Sequence, residues 1–179
     1  MTRYAIPLWE PAALPVAGSD ALFPVHRLYC VGRNYAAHAR EMGNDEREPP
    51  FFFAKPADAL VLDGRDAPFP PATKNLHHEV ELVVALKSGG RDIPVEKALD
   101  CVFGYGVGID LTRRDLQDVA KKMGRPWDMA KGFDASAPCS ALRPAAEAAR
   151  PDDARILLKV NGEIRQDGNV RDMIWNVPE

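Results

Sequence analysis

Little in this sequence ties it to a membrane, to nucleic acid or to an oxidising compartment. No run approaches the roughly 20 apolar residues that a membrane-spanning helix needs. The opening "MTRYAIPLWEP" lacks the apolar core of a secretion signal. Surplus charge is scarce too: 23 Lys and Arg face 26 Asp and Glu, for a formal net charge of -3. That balance argues against a general electrostatic grip on nucleic acid or on lipid headgroups, and against both as partners. Cysteines are few and scattered. Cys30, Cys101 and Cys139 form no CxxC pair and, being odd in number, no plausible disulfide frame. Three small apolar side chains in a reducing cytoplasm are the expectation. Internal repeats and low-complexity tracts are absent.

What is present fits one well-cored domain, since 46% of the 179 residues are hydrophobic. Pro7, Pro11, Pro15 and Pro24 mark residues 1–24 as an extended leader, leaving residues 25–179 as the folded unit. "RLYCVGRNY" reads as a short strand turning at Gly32. "NYAAHAREMG" reads as a short helix, with Asn34 as its N-cap and Gly43 past its end. "FFFAKP" is an aromatic strand, "IPVEKALDCV" a short helix with Pro94 near its first turn, and "FGYGVGIDLT" a glycine-loosened strand. "GYGVG" lacks the spacing of a dinucleotide-binding loop, so its glycines are read as strand packing.

Helix "RRDLQDVAKKMG" is expected to start at Thr112, with Thr112 and Asp115 as a capping box. Its buried face should carry Leu116, Val119, Ala120 and Met123, and Gly124 with Pro126 should end it. "RILLKVNGEIRQDGN" reads as a hairpin turning at Asn161-Gly162. Strands outnumber helices and the helices are short. The fold class is therefore a β-rich α+β domain and not a doubly wound sheet.

The chemistry begins in "HHEVELVVAL", where Glu79 and Glu81 stand at the mouth of an apolar run. Residues i and i+2 of a strand share a face, so the two carboxylates repel unless something positive lies between them. Asp110 ends a second apolar strand. Oxygen ligands on rigid strands suit a hard divalent cation such as Mg²⁺. Solvated edge acids are the plainer reading of the same spacing. His38 and Glu41 lie three apart on one helix face, either as a carboxylate-held general base or as an ordinary surface pair. Lys131, among small and apolar neighbours in an expected loop, is either solvated or a cation aimed at an anionic substrate.

Six stretches together resemble the fumarylacetoacetate hydrolase (FAH) family. They are "YCVGRNYAAHAREMG", "PPFFFAKPADALV", "NLHHEVELVVAL", "GYGVGIDLTRRDLQ", "GRPWDMAKGFDASAP" and "VNGEIRQDGNVRDMIWNVPE", in the family's order from about residue 27 onward. Within the family the likeness is to small bacterial acylpyruvate hydrolases, including the fumarylpyruvate hydrolases of gentisate breakdown. The resemblance implies a mixed β-roll, a homodimer, and one divalent cation per active site, with Mg²⁺ first and Mn²⁺ as its alternative. It matches Glu79, Glu81 and Asp110 to the metal ligands, and His38, Glu41 and Lys131 to the catalytic groups. It matches Arg114 and Gln117 to polar positions near the substrate, and places Arg33 and Asn34 in the motif that covers the site. Phe53 and Lys55 fall on the aromatic strand near the site without a catalytic step. Family members continue past "MIWNVPE" into a further strand and a TGTP loop, so the expected catalytic domain is residues 25–179 without that portion. The implied activity is hydrolysis of a carbon–carbon bond in a 2,4-diketo acid. Oxaloacetate decarboxylation or an inactive homologue are the alternatives.

Overall fold

The computed structural model describes residues 2–35, 48–149 and 151–179. In chain order its strands are β1 (Ala13–Pro15), β2 (Leu22–Pro24), β3 (Leu28–Gly32), β4 (Phe51–Lys55), β5 (Leu60–Leu62), β6 (Leu76–His77) and β7 (Val80–Leu86). After the helix α1 (Val95–Ala98) come β8 (Val102–Ile109), β9 (Thr112–Arg113), the helices α2 (Arg114–Lys122) and α3 (Asp128–Lys131), β10 (Ala137–Cys139) and β11 (Arg143–Pro144). The last pair is β12 (Arg155–Val160) and β13 (Glu163–Asn169). Short helices among many strands make this the β-rich α+β fold expected.

The long strand β8 organises the main sheet. β7 runs antiparallel along one edge from Val80 opposite Ile109 to Leu86 opposite Val102. β10 and β11 share the other edge, and β5 joins β10 in parallel. Glycine allows that second edge to close in. A Cβ at Gly104 would run into the Arg143 backbone carbonyl, so only glycine lets β11 approach. Behind the sheet, Leu14, Ala85, Cys139 and Leu142 form the core, with Phe23, Val83 and Phe103 against them. Leu14 and Phe23 face each other across the β1–β2 hairpin and so turn inward together. The β1–β2 hairpin of the proline-rich N-terminal segment thus packs onto the core through Leu14 and Phe23. β12 and β13 turn at Asn161 and Gly162, both at positive φ (53° and 84°), as their side-chain chemistry predicts.

The helix after β9 departs from its sequence pattern. Thr112 belongs to β9, opposite His77 of β6, and α2 begins at Arg114 with no side-chain cap. Asp115 instead accepts from the Thr73 hydroxyl at 2.6 Å and the Lys74 amide at 3.0 Å, holding the preceding loop. Gln117 and Ala120 are the buried positions, whereas Val119 and Met123 are about half exposed, at 54% and 53%. The inward side is partly polar because it faces a cluster of acids.

Candidate active site

Strand pairing assembles the acids. The Asp110 amide donates to the Glu79 carbonyl at 2.8 Å, placing these residues opposite each other at the ends of β7 and β8. Opposed residues share a face, and so do residues two apart, so Glu79, Glu81 and Asp110 present their carboxylates to one side. The positive group among them is Lys131, which closes the one-turn helix α3 where a loop was expected. Its Nζ lies 2.7 Å from Glu79 Oε2, 2.7 Å from Asp110 Oδ2 and 2.7 Å from the Thr112 hydroxyl. With 2% of its surface exposed, this ammonium depends on these oxygens for its stability.

Other cations complete the balance. Arg114 donates to Glu79 Oε1 and to the Gln117 side-chain oxygen. Lys55, 4% exposed at the end of β4, donates to the carbonyls of Leu111 at 3.1 Å and of Lys131, and lies 2.9 Å from Asp110 Oδ1. Burial opposes ionisation of Glu79, but Lys131 and Arg114 outweigh it and hold that carboxyl below its usual range. Glu81 goes the other way. Burial, then the charges of Glu79 and Asp110, push it up to about 8 despite Lys131. Burial lowers Lys55, an effect that Asp110 partly offsets.

Glu79, Glu81, Asp110, Lys131, Arg114 and Gln117 are thus brought together. Arg33 stands over the Phe51 ring, 5.6 Å from its centroid. The Asn34 side chain is spent on structure: its amide donates to the Trp175 carbonyl and its oxygen accepts from the Trp175 amide, both at 2.9 Å. His38 and Glu41 lie outside the described residues. Lys55 and Thr112 also hold the site, although the sequence pattern assigns Lys55 no catalytic step and Thr112 only a helix-capping role. The available signal was a lysine closing an aromatic strand and a threonine just past an acid.

Among the described residues, no three His, Cys, Asp or Glu side chains converge to a coordination cluster, because the Lys131 ammonium lies between Glu79 and Asp110. The donor set nevertheless fits a hard divalent cation. It offers three carboxylates on one rigid face, with Glu81 in no ion pair among the described residues and Asp110 held by the ammonium groups of Lys55 and Lys131. The same place can balance an anionic ligand through Lys131 and Arg114.

Known proteins share this architecture. The family model "Fumarylacetoacetate (FAA) hydrolase C-terminal" matches residues 27–179. The mitochondrial oxaloacetate tautomerase FAHD1 of Arabidopsis thaliana is 44% identical over 152 residues, covering 85% of this chain and 68% of that protein. Its human counterpart is 44% identical over 151 residues, covering 84% and 68%. The crystal structure of fumarylpyruvate hydrolase from Pseudomonas aeruginosa, in complex with Mn²⁺ and pyruvate, superposes with a TM-score of 0.93 at 52% identity, covering 99% of this chain and 78% of that one. With its acids on the paired strands that this fold provides, the chain belongs to the fumarylacetoacetate hydrolase family.

Proposed function

We propose that the protein is a metal-dependent hydrolase of a carbon–carbon bond in an acylpyruvate, converting fumarylpyruvate to fumarate and pyruvate. One observation carries the reading: three carboxylates share a strand face around a buried lysine, in a chain 52% identical to a fumarylpyruvate hydrolase crystallised with Mn²⁺ and pyruvate. Glu79, Glu81 and Asp110 would hold the divalent cation, which when bound supplies Lewis-acid charge to a keto oxygen. Lys131 sets an ammonium beside the pyruvoyl end, where negative charge builds as the bond breaks. Arg114, braced by Gln117 and Glu79, turns its remaining N–H groups to the substrate. His38 and Glu41, which the family resemblance matches to the catalytic dyad, would take a proton from water, whose oxygen joins the distal carbonyl carbon. The bond from that carbon to the pyruvoyl methylene breaks, and protonation of the methylene yields pyruvate. Family resemblance supports the finer reading of a cytoplasmic homodimer using Mg²⁺ or Mn²⁺ in gentisate breakdown.

The 44% identity to oxaloacetate tautomerases favours a second reading, proton transfer within oxaloacetate, which needs no attacking water. Decarboxylation of oxaloacetate would likewise dispense with it. Fumarylpyruvate turnover, followed by loss of enol absorbance and release of pyruvate, separates these. Release that requires Mg²⁺ or Mn²⁺ and drops by about 100-fold or more in His38→Ala supports hydrolysis, because a general base contributes on that order. Tautomerisation of oxaloacetate without any pyruvate from fumarylpyruvate would replace the hydrolase reading with the second.

A further inference from the structure

Beside the carboxylate centre stands a second cluster, of cations resting on aromatic rings. Trp127 is its hub. The Phe51 ring meets it edge-on at 5.3 Å between centroids and 88°, and the Phe53 ring is tilted against it at 5.7 Å. The Arg33 guanidinium lies over Phe51, and Lys121 Nζ lies 5.4 Å from the Trp127 centroid. Lys131 Nζ is 5.0 Å from the centroid of Phe53. A single aromatic wall therefore joins Arg33 and Lys121 to the lysine of the reaction centre.

The backbone is shaped to make this cluster. Gly32 has no Cβ to collide with the Phe51 ring, and Arg33 adopts a left-handed φ of 55°. Such a conformation is unfavourable for a residue with a side chain, so its surroundings impose it. Among the described residues no carboxylate pairs with Arg33 or Lys121, and Arg33 Nε is buried without a hydrogen-bond partner. Burial, then the charge of Arg114, lowers the Lys121 pKa, and Arg33 adds to this against the opposing pull of Asp118 and Glu79. Crowded cations on rings, with no acid among the described residues bound to either, form a site with unused capacity for an anion.

We propose that Arg33 and Lys121, backed by Phe51 and Trp127, form a subsite for the far carboxylate of the substrate and select dicarboxylic over monocarboxylic acylpyruvates. The inference rests on the acylpyruvate reading, which sets the pyruvoyl end beside Lys131 and the cation that Glu79, Glu81 and Asp110 would hold. The edges and faces of Phe51, Phe53 and Trp127 between the two centres offer apolar contact to an unsaturated linker. A methyl-terminated acyl group would leave both cations desolvated and unanswered, which is how a polar site rejects an analogue.

The test compares kcat/KM for fumarylpyruvate with that for acetylpyruvate in the wild type, Lys121→Met and Arg33→Met. Methionine keeps an apolar stem against the ring and removes the charge. The preference for the diacid should fall by about tenfold or more in each variant, the scale of a lost charge-assisted hydrogen bond. Equal losses on both substrates, or an unchanged ratio, overturn the subsite. A second arm needs no turnover: calorimetric binding of fumarate against crotonate to the Mn²⁺-loaded protein. Tighter fumarate binding that disappears in Lys121→Met supports the subsite even if neither acylpyruvate is cleaved, an outcome that would sink only the hydrolase reading. A fumarate preference that survives both substitutions, or no preference in the wild type, overturns it.

Discussion

Replacing Lys131 with methionine keeps the length and apolar stem of the side chain and removes the ammonium shared by Glu79, Asp110 and Thr112. The affected groups are well shielded: side-chain exposure is 3% for Lys131, 8% for Asp110 and 22% for Glu79. Breaking a buried ion pair from one side costs about 3–5 kcal/mol, because the abandoned charge stays desolvated. Arg114 still answers Glu79 and Lys55 still lies beside Asp110, which places the loss near the lower end, about 3 kcal/mol. For a chain of this size each kcal/mol moves the melting temperature by about 2–4 °C, so Tm should drop by about 6–12 °C. The assay is thermal unfolding of wild type and variant in chelator at neutral pH, repeated with Mn²⁺. A ligand of the native state alone stabilises according to its concentration over its Kd. With the competing ammonium gone, Mn²⁺ should raise the Tm of the variant more than that of the wild type. A variant as stable as wild type in chelator, or one that gains no more from Mn²⁺, would refute the idea that Lys131 neutralises the acids a cation would use.

Two further tests address other groups. In chelator, stability should fall as pH rises between the ordinary carboxyl value of 4.5 and the value of about 8 for Glu81, because the folded chain keeps a proton that the unfolded chain has lost. Glu81→Gln should flatten this slope, and melting curves from about pH 5 to about pH 8 with the same slope in both proteins would count against the buried carboxyl. At Gly104 an added methyl meets the Arg143 backbone and no flexible side chain. Gly104→Ala should therefore cost about 1–3 kcal/mol by overpacking, read by urea unfolding, and a neutral result would show that β11 can shift freely.

Strand periodicity made the acid centre legible. Glu79 and Glu81 share a face in any strand, and Asp110 ends an apolar run just as they begin one. The Asn161-Gly162 turn was equally legible, since the positive φ of both residues is a demand on local chemistry. Thr112 escaped that logic. Its spacing to Asp115 satisfies a cap pattern, but pairing with His77 draws it into β9 and its hydroxyl serves Lys131. Val119 and Met123 show a related limit: helical spacing identifies an apolar stripe, but not the side against which the domain packs. Here the opposing demand came from Glu79, which pulls Arg114 and, through it, Gln117 to the inner side of α2.

The identity of the neutralising cation was beyond reach for a different reason. Two half-buried acids at the mouth of a strand require a positive neighbour, but any lysine, arginine or metal ion satisfies that requirement. Lys131 stands 52 residues from Glu79 and 21 from Asp110, and the carbonyl of Lys131 is itself held by Lys55, 76 residues away. No local pattern encodes such distances. Arg33 and Lys121 make the complementary case, because their charge has no acid to answer it among the described residues. An unanswered acid inside a fold calls for a cation that the chain or a metal can provide. Two unanswered cations on an aromatic wall call for an anion, and if the fold supplies none, the substrate must.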